Sequence, residues 1–241
     1  MKAVILAGGK GTRGKPYTEY FPKAMTPING KPLIEYIVNY LNSFSFINEI
    51  IIISDYEGLG GQIKNYYNNQ NNKKNITFVQ DSQSGTGGDL LHIEQKLAGG
   101  SEFVLWFVDN LCAIDLKSMR DFFKEKKSSA CIATRTKRKE ETGFAVVKDG
   151  IITEFKEKPK MELQLSECLG IYILGKDILK RIRKLKQKEI NLSFDILQEL
   201  SKEGKISAYD IGDKEWMDVE SPMVLDRNKK TVQKIIKQME F

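Results

Sequence analysis

With 241 residues the chain is long enough to bury a sizeable core, as one large domain or two small ones. Its 41% hydrophobic and 29% charged residues are the proportions of a soluble globular protein and exclude a disordered or fibrous chain. The net charge of +6 favours anionic partners only weakly. The densest basic run, Arg135-Thr136-Lys137-Arg138-Lys139, is followed at once by Glu140-Glu141 and reads as a solvated loop; with no interleaved aromatics or recognition motif, no nucleic-acid partner is expected. Three unpatterned cysteines, Cys112, Cys131 and Cys168, suit a reducing compartment without a disulfide framework. With no signal peptide and no membrane-length apolar run, the expectation is a cytoplasmic protein that does not enter a membrane.

The first strand, residues 3–7, is wholly apolar and feeds the stretch Gly8-Gly9-Lys10-Gly11-Thr12-Arg13-Gly14-Lys15-Pro16. Further strand patterns fall at 49–54, 76–79, 103–108 and 130–134. Between them lie helical patterns at 33–41, 60–67, 89–97 and 116–126. Apolar runs such as Ile50-Ile51-Ile52-Ile53 are what a sheet buried on both faces requires. Strand–helix alternation predicts βαβ units and a mostly parallel sheet, hence an α/β fold. Beyond about residue 140 the pattern changes to a hairpin, 144–148 and 151–155, around an Asp149-Gly150 turn. A strand at 166–174 and helices at 176–185 and 194–203 follow, the latter with Ser193 as its expected N-cap and Gly204 as its stop. A strand at 205–211, the segment Trp216-Met217-Asp218 and a last helix opening at Ser221-Pro222 complete the chain. The Asn- and Lys-rich residues 65–75 read as a surface turn. No clean linker appears, so residues 1–241 read as a single domain, with a nucleotide-binding half at 1–140 and a substrate half at 141–241.

The glycine stretch fits three phosphate loops, because glycines let backbone N–H groups close on phosphate oxygens in all of them. Gly9, Gly11 and Gly14 spell the dinucleotide fingerprint, but Pro16, Pro22 and Pro27 break the helix it needs, and the acidic residue it wants about 20 residues on, at the end of the next strand, falls at Asp55, roughly twice that distance away. Gly9, Gly14 and Lys15 spell most of a P-loop, but Pro16 replaces the metal-binding hydroxyl. The apolar run ending at Asp109 keeps a P-loop ATPase as an alternative. The third pattern uses the prolines. Residues 8–23, with Gly9-Lys10-Gly11-Thr12-Arg13, Pro16 and Pro22-Lys23, resemble the signature of the sugar-1-phosphate nucleotidyltransferase family, carried on a long irregular loop. Five more blocks in the family's order extend the resemblance to about Asn228: Lys31-Pro32-Leu33-Ile34-Glu35-Tyr36, residues 80–88, Asp109, Gly143-Phe144 with Glu157-Lys158-Pro159, and Trp216-Met217-Asp218.

That resemblance implies a Rossmann-like nucleotidyltransferase fold, a mostly parallel central sheet flanked by helices with a small hairpin-containing substrate half. It implies a Mg²⁺-dependent enzyme joining a hexose 1-phosphate, with glucose 1-phosphate the first choice, to UTP or dTTP. Guanylyl or cytidylyl transfer stays as an alternative, since the Gly85-Thr86-Gly87-Gly88 tail is similar to those relatives. The roles it implies begin with Arg13, Lys23 and Asp109 as catalytic groups. Leu6, Ala7, Gly8, Gly9, Lys10, Gly11, Thr12, Arg13, Gln80 and Gly85 would contact the nucleotide, Gly143, Glu157 and Lys158 the sugar phosphate, and Asp109 and Asp218 the metal. Taken singly, Arg13 and Lys23 read as surface cations, Asp109 equally as a helix cap, and Glu157-Lys158 as a solvated strand end. Two departures from the family pattern stand out: Gly14 in place of an apolar residue after the arginine, and Val108 in place of a glycine before the metal aspartate. His92 reads as structural. The β-helix of bifunctional acetyltransferase relatives has no counterpart in the sequence. A homo-oligomer is left open, and a non-catalytic nucleotide sensor is the rival from another class.

Overall fold

A computed structural model describes residues 1–9, 11–69, 75–140 and 142–240. Strands β1 (Lys2–Leu6), β2 (Pro27–Ile28) and β3 (Lys31–Pro32) precede helix α1 (Leu33–Ser43). Then come β4 (Glu49–Ser54), α2 (Gly61–Asn68), β5 (Ile76–Gln80), α3 (Gly85–His92), β6 (Glu102–Phe107), β7 (Asn110–Cys112) and α4 (Leu116–Lys126). Strands β8 (Ala130–Lys139), β9 (Phe144–Lys148), β10 (Ile151–Lys156) and β11 (Lys160–Gly175) lead to α5 (Asp177–Lys184) and α6 (Gln198–Lys202). The chain closes with β12 (Ile206–Asp210), β13 (Trp216–Asp218), α7 (Pro222–Arg227) and α8 (Lys229–Met239). Among the described residues no helix is long and apolar enough to cross a membrane.

Seven strands form one sheet in the order β12-β8-β11-β6-β1-β4-β5, all parallel except β11. The side-chain period of two explains why its strands are apolar throughout. Ala3, Ile5, Ile50 and Ile52 enter the core under α1, α4 and α8, whereas Val4, Leu6, Ile51 and Ile53 enter the core under α3, α5 and residues 192–200. Parallel strands end on one edge, so the loops after β1, β4, β5 and β6 meet there, which is where open α/β sheets bind ligands.

Two strands are longer than their apolar runs predict. β8 reaches Lys139 although its added half is polar on both faces and carries no hydrophobic signal, and β11 begins at Lys160, its added half alternating Met161, Leu163 and Leu165 with polar residues, a period-two pattern that the reading of 166–174 left out. Backbone pairing (Lys139 with Lys160, Lys137 with Glu162) and the Arg135–Glu167 ion pair at 2.7 Å extend the ladder instead. Helix α3 starts at Gly85, four residues before the amphipathic pattern. Its glycine-rich first turn is held from outside, Gly87 N donating to Ile190 O (2.8 Å) and Leu192 N to Thr86 Oγ1 (2.9 Å). Ser193 is not the cap of the next helix: the Asn191 side chain accepts from Ser193 N and Phe194 N, and the chain enters α6 through a π turn at Leu192–Leu197. Asp149 (φ 49°) and Gly150 (φ 77°) make the expected hairpin turn.

Candidate active site

The loops after β1, β4, β5 and β6 wall a cavity of about 570 Å³. Leu6, Ala7, Gly8, Gly9, Gly11 and Gly85, six of the residues expected to touch nucleotide, line it, while Lys10 lies outside the described residues. The loop after β1 is not a helix. It folds as three short 3₁₀ turns, Thr12–Gly14, Tyr17–Glu19 and Lys23–Met25, spaced by the prolines. Thr18 Oγ1 donates to Gly11 O (2.7 Å), and with Gly11 at φ 60° a side chain there would be strained and would press within 2.8 Å of Thr18. The last of these turns carries Lys23 to the cavity. Lys15, the residue a P-loop would make central, instead pairs with Glu19 at 3.1 Å on the open surface. Lys15→Ala is accordingly expected to change turnover less than about twofold, in steady-state assays of pyrophosphate release.

Asp109 follows β6 and β13 brings Asp218 to it. β13 runs antiparallel to β7 with Asp218 opposite Asn110, and Val219 N donates to Asp109 O at 2.7 Å. Lys23 Nζ donates to Asp109 Oδ2 at 3.0 Å, with the lysine side chain only 12% exposed. Burial, then the Asp109 charge beside it, pushes the Asp218 carboxyl up to about 6, against the opposing pull of Lys23. Among the described residues the buried Asp218 Oδ1 has no hydrogen-bond partner. A hard divalent cation suits such a pair: it accepts carboxylate oxygens, relieves their repulsion and satisfies the orphaned oxygen. No cluster of three or more His, Cys, Asp or Glu occurs among the described residues, so the remaining ligands would come from substrate phosphates and water, as is usual for Mg²⁺.

Asn110 is the residue the sequence reading missed. Its side chain is almost wholly buried and ties three elements. Oδ1 accepts from Gly170 N and Trp216 Nε1, both at 2.8 Å; Nδ2 donates to Asp109 Oδ1 at 2.9 Å. Gly170 is glycine for this reason, because a Cβ there would lie 2.3 Å from Asn110 Nδ2. An asparagine after an aspartate carries no periodic signal, so only its contacts reveal it. Asn110→Ala would strand two buried donors; a loss of roughly 2–4 kcal/mol in urea unfolding and a raised Mg²⁺ requirement are expected.

The other predicted residues fall in three groups. Arg13 ion-pairs with Glu220 and stands 3.5 Å from Asp218 Oδ2; it flanks the carboxylates rather than lining the cavity, and Thr12 beside it is likewise outside. The Gln80 carboxamide is committed elsewhere, Oε1 accepting from Tyr56 N (2.8 Å) and Nε2 donating to Asp55 Oδ1 (2.9 Å). Gln83, not Gln80, lines the cavity. Gly143 and Glu157 lie together, a Cβ on Gly143 falling 3.1 Å from Glu157 Oε2; Lys158 follows at φ 44°, and none of the three lines the cavity.

A nucleotide-sized cavity at the carboxyl edge of a mostly parallel sheet, with a lysine and two facing carboxylates, defines a phosphate-handling α/β protein. Residues 2–233 match the Nucleotidyl transferase family, and the chain belongs to it. It is 32% identical over 243 residues to a UTP–glucose-1-phosphate uridylyltransferase of Synechocystis, covering 91% of this chain and 60% of that one. It is 28% identical over 195 residues to a mannose-1-phosphate guanylyltransferase regulatory subunit alpha of Drosophila melanogaster, covering 74% of this chain and 44% of that one. The chain therefore spans about half the length of these relatives. A crystal structure from Bacillus anthracis, described as a glucose-1-phosphate thymidylyltransferase in complex with sucrose, superposes with a TM-score of 0.75 at 25% identity, covering 97% of this chain and 95% of that one.

Proposed function

We propose that the protein transfers a nucleoside monophosphate from a nucleoside triphosphate to a hexose 1-phosphate, glucose 1-phosphate being the first candidate, and releases pyrophosphate. The observation that supports this most is the meeting of Lys23, Asp109 and Asp218 beside the glycine-lined cavity. An oxygen of the sugar phosphate attacks the α-phosphorus in line; its bond to phosphorus forms as the bond to the bridging oxygen breaks, and pyrophosphate carries away the electron pair. Mg²⁺ on Asp109 and Asp218 would neutralise phosphate charge. Lys23 adds a fixed, partly desolvated cation, and the backbone amides of Gly8, Gly9 and Gly11 supply donors to the phosphates. Glu157 and Lys158 are retained as sugar-phosphate contacts, reaching the substrate from the hairpin side. UTP or dTTP as donor rested on Gln80, whose carboxamide would have to exchange both its present bonds to read a base.

The test is a matrix of five nucleoside triphosphates against several sugar 1-phosphates with Mg²⁺, read as pyrophosphate. Release that needs triphosphate, sugar phosphate and metal together is expected. No release from any combination would sink the transferase reading. Nucleotide binding without turnover would favour the sensor, a reading that the regulatory-subunit relative and the engagement of Arg13 by Glu220 keep open.

A further inference from the structure

The hairpin β9–β10 stands apart from the seven-stranded sheet. Its two strands pair only with each other, and every residue of both is exposed. A two-stranded hairpin is marginal on its own in water. Its register sorts the side chains by face. Val147 opposes Ile152 and Ala145 opposes Phe155, and these residues share one face. The irregularity between Ile152 and Glu154 keeps that face in phase past Thr153. On the other face Lys148 opposes Ile151, Val146 opposes Glu154 and Phe144 opposes Lys156. Every charged side chain of the two strands lies on this second face.

The faces are turned the opposite way from what water demands. Phe144, Val146, Glu154 and Lys156, all of the charged face, wall a cavity of about 340 Å³ together with Met161 of β11; of the uncharged face only Ala145 reaches it. The rest of the uncharged face is left to solvent, Val147 being 59%, Ile152 57% and Phe155 62% exposed. At about 200 Å² for a large apolar residue, this face leaves on the order of 400 Å² uncovered, an extent that marks a contact surface. Each partner in a standard complex buries ~800 Å², a little over half of it apolar, so the face supplies the apolar share of one such interface.

What covers it must itself be apolar. A partner chosen by charge finds nothing to pair with, because the hairpin's own charges, Lys148 and Lys156 against Asp149 and Glu154, cancel. A second copy brings the same apolar face and the same balanced rim, and a two-fold axis sets the two against each other, the usual form of a homodimer.

We infer that this chain dimerises through the uncharged face of β9–β10, Val147, Ile152 and Phe155 of one copy packing on those of the other. The inference is independent of the transfer reading, because association is measured without substrate. The test is sedimentation equilibrium of wild type, Ile152→Glu and Val147→Glu across the micromolar range expected of a small interface. Wild type should be dimeric at the top of that range. Each variant places an unpaired charge from both copies in the interface and should weaken dimerisation about 100-fold or more. Melting at the bottom of the range, where wild type is monomeric, should be unchanged, because both side chains are exposed in the single chain. Should a variant melt early, an equimolar mixture of Ile152→Glu with Ile152→Lys decides: opposite charges across the axis should associate more tightly than either variant alone. A wild type that stays monomeric, a dimer that either variant leaves intact, or a mixture no tighter than its components overturns the assignment. So does a monomer whose hairpin amides gain protection from hydrogen exchange only when triphosphate and sugar 1-phosphate are added, since the face would then cover the chain's own cavity.

Discussion

Asp109→Asn and Asp218→Asn each lower kcat by about 10²–10³-fold, the usual loss when one group stabilising a transition state is removed. On the proposed reading the two carboxylates share one Mg²⁺, Asp218 being brought beside Asp109 by its register with Asn110, so either change should also raise the Mg²⁺ concentration needed for half-maximal rate. Pyrophosphate release against Mg²⁺ measures both. Wild-type turnover in either variant would contradict the metal assignment. Stability should move the other way for Asp218. Its folded pKa, about 6, lies above the model-peptide 3.8, because burial and the neighbouring Asp109 disfavour its charge. Its contribution to stability is therefore fully present below about pH 4 and is lost as pH rises through 6, a swing on the order of 3 kcal/mol. In metal-free protein at pH 7 to 8, Asp218→Asn should melt above wild type, and at pH 4 the difference should vanish. Chelator-treated samples followed by thermal unfolding give the comparison, and an Asp218→Asn protein that melts below wild type at pH 8 would refute it.

Lys23→Met is the second large effect. The side chain is nearly buried and holds Asp109 at 3.0 Å, so its loss removes the one cation among the described residues lining the cavity and leaves the Asp109 carboxylate with the neutral Asn110 amide in place of its counter-charge. A fall of about 10²–10³-fold in kcat/KM is expected. Lys23→Arg should recover little of it, because the planar guanidinium cannot place a point charge where the ammonium stood. Lys15→Ala in the same assay serves as the control from the same loop.

The sheet was legible wherever burial wrote a continuous apolar run, as at Ile50-Ile51-Ile52-Ile53, and whole strands such as β4 and β9 fall where expected. It was illegible where the ladder continues in charged sequence, as in the outer half of β8, since pairing there is made by backbone and ion pairs that leave no periodicity; the outer half of β11 does alternate, at Met161, Leu163 and Leu165, but is exposed and short of a continuous apolar run. In the site, the prolines made the loop after β1 readable as irregular, and Lys23 at its end lines the cavity. Arg13 and Gln80 were placed by analogy of position. Their contacts, to Glu220 and to Tyr56 and Asp55, depend on neighbours that sequence spacing does not specify. Asn110 escaped because an asparagine after an aspartate at a strand end looks the same whether it caps, binds or carries nothing.

The meeting of β7 with β13 also orders events in time. Asn110 and Trp216 are 106 positions apart, and three-residue strands give little to hold them before the rest is in place. Closing such a long loop early costs entropy that few contacts repay. A refolding chain should thus bury Trp106 within the growing sheet first, dock Trp216 against Asn110 afterwards, and regain activity last. In a protein so built, the return of the proposed activity would report the final closure of the chain.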